Sequence, residues 1–356
     1  MTALMLIAGL VALLVGAEGL VRGASRLALA TGLSPLVIGL TVVGFGTSAP
    51  ELAVGLDAVH RGSPGIAVGN VVGSNITNVL LILGLSALVA PLVVHRQLIR
   101  IDVPVMIACS IGVLLLALDG MVSRIEGIVL SILAVVYLLA QVRLGRMEPD
   151  DSMDPSAVPR GAKAWVFNIA LVVGGLGLLV FGARWLVASA VTIAQAFGLS
   201  ELVIGLTVIA IGTSMPEIAT SVIATLRGQR DLAVGNVIGS NVLNLLAVLG
   251  LTAAFSPAGV PVGYAAIHFD MPVMIAVALA CLPIFFTGHC IHRWEGAVFV
   301  GYYVAYTAYL LLDAAGHDAL PIYSRAMMFF VVPITVLTLG IVLARALHDR
   351  RRGRQP

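Results

Sequence analysis

Two glutamates set inside apolar sequence carry the chemistry most in need of explanation. Glu51 closes the run Gly44-Phe45-Gly46-Thr47-Ser48-Ala49-Pro50-Glu51, and Glu217 closes Ala210-Ile211-Gly212-Thr213-Ser214-Met215-Pro216-Glu217. Gly44, Thr47, Ser48 and Glu51 are spaced so that they share one helical face, as do Ala210, Thr213, Ser214 and Glu217. Pro50 has no N–H to give the carbonyl of Gly46, and Gly44 and Gly46 loosen the same turn; Pro216 repeats the device. Helices broken in this way free carbonyl oxygens, a state tolerated at membrane depth only where protein or a water-filled cavity covers it. An ionisable side chain at the centre of a membrane helix costs about 2.5–3.5 kcal/mol or more, so such a glutamate is a functional hypothesis by default.

A second pair of segments supplies further oxygen. Ser74 and Asn78 lie four apart on one face, as do Ser240 and Asn244. Asn70, Asn75, Asn236 and Asn241 add amides, and Gly69, Gly73, Gly235 and Gly239 allow close helix approach. Carboxylates, hydroxyls, amide oxygens and freed carbonyls form a hard ligand set that suits Ca²⁺ and Na⁺, with nothing favouring zinc or copper. Each smaller group also has a structural reading. The hydroxyls can bond to their own helix carbonyls, the glycines can serve packing alone, and Asn70 and Asn236 can cap or bridge helices. Two glutamates, each after a Thr-Ser-x-Pro run, do not reduce to structure so easily.

These residues belong to an internal repeat. Residues 33–94 and 199–260 align without a gap at an offset of 166, which pairs Glu51 with Glu217, Asn70 with Asn236 and Asn78 with Asn244. The chain of 356 residues is 60% hydrophobic and only 11% charged. Soluble domains average about 25% charged residues, so the sequence reads as an integral membrane protein. Spans of about 20 apolar residues fall near 3–21, 34–59, 65–90, 101–119, 125–144, 165–190, 200–226, 231–255, 270–288, 294–313 and 326–347. The first and sixth can extend as tilted helices to Ala30 and Phe197.

The predicted fold is all-α, with two five-helix repeats and an eleventh C-terminal membrane helix. Because five is odd, the second repeat enters the membrane from the opposite side, and the repeats are inverted. The predicted units are 1–144 for the first repeat, 145–164 for a linker rich in Pro, Asp and Arg, 165–313 for the second repeat, and 314–356 for the extra helix and basic tail. With the N-terminus outside, sixteen of the twenty basic residues fall on the inner side, in accord with the positive-inside rule. The Arg350-Arg351-Arg352 cluster is then cytoplasmic and placed to meet anionic lipid. The net charge of +2 adds little.

The other groups carry less. Cys109, Cys281 and Cys290 lie in or near apolar runs without metal-ligand spacing and read as packing residues. Glu18 faces Arg184 across the repeat alignment, so no symmetric ligand role follows. Asp102, Asp119, Glu126, Asp270 and Glu295 sit near predicted helix ends, where solvated or interfacial roles are expected. The N-terminus opens directly into an apolar run with no basic leader and reads as a first membrane helix, not a signal peptide.

The paired motifs GTSAPE with GNVVGSNITN, and GTSMPE with GNVIGSNVLN, resemble the two alpha-repeats of the cation/Ca²⁺ exchanger superfamily, the sodium/calcium exchangers. The resemblance implies an antiporter of a bacterial inner membrane that uses the Na⁺ gradient to expel Ca²⁺, without a cofactor. It implies ions held between the second, third, seventh and eighth helices, with the first and sixth sliding across that core. On matching positions, Glu51 and Glu217 bridge the ions. Thr47, Ser48, Ser74, Thr213, Ser214 and Ser240 add oxygens, and the carbonyls of Gly44 and Ala210 complete the Na⁺ sites. The sequence departs from some prokaryotic relatives at Asn244, where they carry Asp. Two carboxylates then match one Ca²⁺ and neutralise three Na⁺ less well. The linker is too short for the regulatory Ca²⁺-binding domains of animal exchangers.

Three other readings compete. An H⁺/Ca²⁺ exchanger on the same scaffold would carry its proton on Glu51 or Glu217. A passive channel would show ohmic currents, which the inverted broken helices argue against. An intramembrane enzyme would need a base, yet His60, His95, His268, His289, His292, His317 and His348 all fall at helix ends, loops or the tail, and none forms His-Glu-x-x-His. The ligands expected are Ca²⁺, Na⁺ and membrane lipid, with no nucleic acid; protein partners leave no mark in the sequence.

Overall fold

Apolar runs of this length become helices in lipid because every backbone N–H and C=O must be satisfied within the segment. The computed structural model describes residues 2–145, 161–197, 208, 210–286, 288–338 and 340. Ten helices among these residues are long and apolar enough to span a bilayer. They are α1 (Thr2–Thr31), α2 (Pro35–His60), α3 (Gly65–Val89), α4 (Leu98–Asp119), α5 (Arg124–Leu144), α6 (Ala162–Ala196), α8 (Arg230–Phe255), α9 (Ala266–Phe286), α10 (Arg293–Ala314) and α11 (Leu320–Thr338). The seventh helix, α7, is described over Ala210–Thr213 and Met215–Leu226. Its predicted first half, most of the linker and the Arg350-Arg351-Arg352 tail lie outside the described residues. As expected, α1 and α6 run longer than their apolar cores.

Two short strand pairs tie the repeats together. β1 (Leu92–Val93) pairs with β4 (Cys290–Ile291), and β2 (Met121–Val122) pairs with β3 (Val260–Pro261), both antiparallel. β1 follows α3 and β3 follows α8, so they are equivalent, as are β2 and β4. Strands that pair lie on one side of the membrane. Between β1 and β4 the chain crosses six times, and between β2 and β3 four times, provided α7 counts as one crossing. Between the equivalent strands β1 and β3 it crosses five times, so the repeats face opposite ways.

Close backbone approach sets which helices touch. A methyl group added at Gly16 would sit 2.8 Å from the carbonyl oxygen of Gly175, and one at Gly182 would sit 2.8 Å from that of Gly9. Gly9 and Gly16 are the repeat counterparts of Gly175 and Gly182, so α1 and α6 cross antiparallel on the pseudo-two-fold axis. A stripe of small residues lets two helices pack this closely without a side-chain layer. The same logic joins α3 to α10 at Gly84 and Gly296, and α8 to α5 at Gly250 and Gly127. Helices α3 and α8 are the most buried of the ten spans, and their Val, Ile and Leu residues fill much of the main core. In contrast, α11 buries no side chain and meets α10 through Tyr302 on Thr335 and Tyr323 on the carbonyl of Ala305.

The acids near helix ends depart in part from the solvated roles expected of them. Asp102 is fully buried, with its two oxygens accepting from Gln141 at 2.5 Å and Gln97 at 3.3 Å. Neither glutamine announced itself as a partner in sequence. Glu126 and Glu295 are equivalent capping residues: each accepts from the backbone N–H three residues earlier, of Ser123 and His292, at 2.7 Å. Asp119 caps the start of β2, accepting from the N–H of Met121 at 3.1 Å. Asp270 accepts from the Tyr306 hydroxyl at 2.9 Å. The three cysteines are free, with Cys281 buried.

Candidate ion-binding site

Both broken helices break at the expected place. In α2, Ser34 caps the N-terminus by accepting from the N–H of Val37 at 3.3 Å, and Pro35 follows at the first turn. The helical turn of Gly44–Thr47 stops at Ser48, whose ψ of 1° leaves the helical range, and a new helix starts at Ala49. In α7 the turn Ala210–Thr213 stops in the same way at Ser214, with ψ 8°. Pro50 and Pro216 each occupy the second position of the new helix, where a missing N–H costs nothing. Glu51 and Glu217 therefore sit in the first turn of a half-helix, close to its unpaired N–H groups.

Glycine allows α2 to lie against α8. A methyl at Gly39 would stand 2.7 Å from the carbonyl oxygen of Leu232, and one at Gly235 would stand 2.6 Å from that of Leu36. Both helix backbones thus face each other without intervening side chains. A methyl at Gly69 or Gly73 meets no described residue; the counterparts of Leu36 and Leu40, Leu202 and Leu206, lie outside the described residues. In α3 and α8 the helix widens into a π turn that begins at Asn78 and at Asn244. Such turns recur at functional sites. No sequence signal marked them.

The sequence-nominated residues converge. Glu51 and Glu217 are 0% and 1% exposed. Ser74 donates to Oε1 of Glu51 at 3.4 Å, and Asn70, half-buried, donates to the Glu51 carbonyl at 3.5 Å. Thr47 donates to Oδ1 of Asn236 at 3.0 Å and stands 3.4 Å from the Ser240 hydroxyl. Ser240 donates to the carbonyl of Gly44 at 3.3 Å. Asn236 in turn donates to the hydroxyl of Ser221 at 2.9 Å, a partner that the repeat does not predict because its counterpart is Gly55. Thr213 also has a bonded partner. Asn75, Asn78, Asn241 and Asn244 are buried together between α3 and α8. The carbonyl of Ala210 belongs to the short turn before the break.

The enclosure is rich in acceptors and short of donors. Oε2 of Glu51, both carboxylate oxygens of Glu217, the hydroxyls of Ser48 and Ser214, and Oδ1 of Asn78 and Asn244 are buried with no hydrogen bond among the described residues. Buried polar atoms are satisfied in the great majority of folded proteins. These seven are all oxygens, three of them on the two acids, and a set of oxygens with net negative charge suits hard cations. The described residues hold no cluster of three His, Cys, Asp or Glu, so carboxylate and neutral oxygens must share the task.

Comparison with known proteins agrees with this geometry. The family model described as "Sodium/calcium exchanger protein" matches residues 1–143 and 167–312. The inner membrane protein YrbG of Escherichia coli is 40% identical over 220 residues, covering 60% of this chain and 67% of its own. The sodium/calcium exchanger MaX1 of Methanosarcina acetivorans is 33% identical, over 86% of this chain and 97% of its own. Among solved structures, the sodium-calcium exchanger NCX_Mj soaked with 10 mM Na⁺ superposes with a TM-score of 0.76 at 33% identity, covering 86% of this chain and 98% of that one.

Proposed function

Since the chain belongs to the sodium/calcium exchanger family, we propose that it is a secondary antiporter that trades Na⁺ for Ca²⁺ by alternating access at the Glu51/Glu217 site. The observation that carries this reading is the set of seven buried unsatisfied oxygens, three from the Glu51 and Glu217 carboxylates and four from Ser48, Ser214, Asn78 and Asn244. Two carboxylates balance one Ca²⁺. The Na⁺ ions draw on the same oxygens: Glu51, Glu217, Thr47, Ser48, Ser74, Asn78, Thr213, Ser214, Ser240, Asn244 and the carbonyls of Gly44 and Ala210. One cation set excludes the other, and this competition couples the two fluxes. The ion gradient supplies the energy, so no cofactor is needed and no bond is made or broken.

The repeats over 1–144 and 165–313 form the transporting core, with 145–164 as linker and 314–356 as an appended helix and tail. The distribution of arginine supports an N-terminus outside and a cytoplasmic C-terminus. The likeness to an inner membrane protein of a bacterium supports a bacterial inner membrane as the location.

The test is uptake of labelled Ca²⁺ into Na⁺-loaded proteoliposomes, with and without an outward Na⁺ gradient, beside Glu51→Gln and Glu217→Gln. Uptake should require the gradient. Removing one partner from a buried charge site costs about 3–5 kcal/mol, so either substitution should weaken Ca²⁺ half-saturation by at least about 100-fold. Uptake that ignores Na⁺ and follows an imposed pH gradient would assign the coupling to protons. Normal transport by both variants would refute the site.

A further inference from the structure

The four asparagines between α3 and α8 divide into two kinds, and the division rests on the exchanger reading above. Asn75 and Asn241 are equivalent positions of the repeat, as are Asn78 and Asn244. Their hydrogen bonds cross from one repeat to the other. Nδ2 of Asn78 donates to Oδ1 of Asn241 at 3.0 Å, and Nδ2 of Asn244 donates to Oδ1 of Asn75 at 3.2 Å. Asn75 also donates through Nδ2 to the carbonyl of Asn241 at 3.1 Å, with Sδ of Met274 at 3.7 Å. Asn241 donates through Nδ2 to Sδ of Met106 at 3.3 Å. Both amide ends of Asn75 and Asn241 are therefore bonded, whereas Asn78 and Asn244 keep an unbonded buried oxygen.

An amide ligand has a failure that a carboxylate lacks. Rotated by half a turn, it turns two N–H donors toward the cation in place of its oxygen. Something must hold Asn78 and Asn244 the right way round, and oxygen acceptors behind their Nδ2 groups do this. We propose that Asn75 and Asn241 are positioning residues and not ion ligands: each fixes, on the opposite helix, the amide of the asparagine whose oxygen faces the cation. The methionine sulfurs contribute by being weak acceptors. They take the amide N–H groups of Asn75 and Asn241 and leave their stronger oxygens to Asn244 and Asn78. Because the bonds cross, the ligand of each repeat is aligned only while α3 and α8 stay together. Through its side chain Asn75 acts on Asn244; to Asn78, one turn along the same helix, it offers only its backbone carbonyl, as part of the helical ladder.

This predicts a pattern of coupling that a general packing role would not produce. The experiment is Ca²⁺ titration calorimetry on purified protein, with the melting temperature of each variant read in parallel. Losing one buried hydrogen bond and the alignment it fixes should weaken Ca²⁺ binding about 10-fold in Asn75→Ala and in Asn241→Ala. The double variant Asn75→Ala/Asn244→Ala should bind no more weakly than Asn244→Ala alone. Asn75→Ala/Asn78→Ala should instead show the product of its two single losses. Should Asn75→Ala fail to fold, Asn75→Ser provides the same cycle with a smaller packing change. Additive losses for the crossed pair, or a lowered melting temperature with unchanged Ca²⁺ affinity, would overturn the proposal. Unaltered binding in Asn78→Ala and Asn244→Ala would instead refute the ligand assignment itself, and the positioning role with it.

Discussion

Glu18 of α1 joins Arg227 at the end of α7, and the effect of breaking that pair can be worked out. Oε1 of Glu18 lies 2.7 Å from Nη2 of Arg227, and Oε2 accepts from Nε at 2.9 Å, a bidentate arrangement that Arg22 joins from its own helix. The repeat counterparts of Glu18 and Arg227 are Arg184 and Arg61, two cations, and Arg61 instead pairs with Asp57 on its own helix at 2.7 Å. One side of the membrane thus carries a tie between α1 and α7 where the other carries like charges. With side-chain exposures of 24% and 52%, the pair belongs with partly exposed ion pairs. A bidentate network lies at the upper end of their range, about 1 kcal/mol. If α1 shifts against α7 during exchange, the pair weights the arrangement seen here by about 5-fold. Glu18→Gln should therefore change the ratio of half-saturating Ca²⁺ concentrations at the two faces of proteoliposomes by about that factor. Arg227→Gln should change it by a similar factor, and the two substitutions together by no more than either alone. Raised salt should shrink the difference, because the pair is partly in water. A ratio that does not move in Glu18→Gln, or that moves further when Arg227→Gln is added, would refute the reasoning.

Two further outcomes follow from packing. Gly175→Ala places a methyl 2.7 Å from the backbone of Gly16 and Leu20, where no side chain can swing aside, so it should destabilise by about 1–3 kcal/mol. Gly177→Ala, which meets no described residue within 4 Å, should not lower the melting temperature in detergent. Asp102→Leu strands the Gln141 amide, while Gln97 keeps its bond to Oε1 of Gln141, and should cost about 1–3 kcal/mol in thermal stability with Ca²⁺ affinity measured by calorimetry staying as it was.

What the sequence revealed divides along a physical line. The repeat, the two proline breaks and the two glutamates are legible because each is a local cost: a lost N–H or a buried charge is written in consecutive residues. Ser74 and Glu51 are brought together as expected. The crossed amide pairs are not legible, since Asn78 and Asn241 meet across 163 residues and nothing in either local sequence says which asparagine turns toward which. Ser221 is hidden for the opposite reason: it breaks the repeat symmetry on which the reading relies. Asp102 looked interfacial because it stands near a helix end. Its burial goes with bonds from Gln97, at the helical start of the same segment, and from Gln141 on another helix.

The two strand pairs have a consequence for how the molecule is made. β1 (Leu92–Val93) finds no partner until Cys290–Ile291 has been synthesised, and β2 must wait for Val260–Pro261. The first repeat therefore enters the bilayer with a free backbone edge at each end, and only the second repeat can close them. Each edge is complemented by the equivalent of the other, so a single five-helix unit inserted in both orientations would close its edges against its own copy. In that sense the protein is an internal dimer: neither half is a finished folding unit, and the joining of the two copies in one chain guarantees every first half its partner.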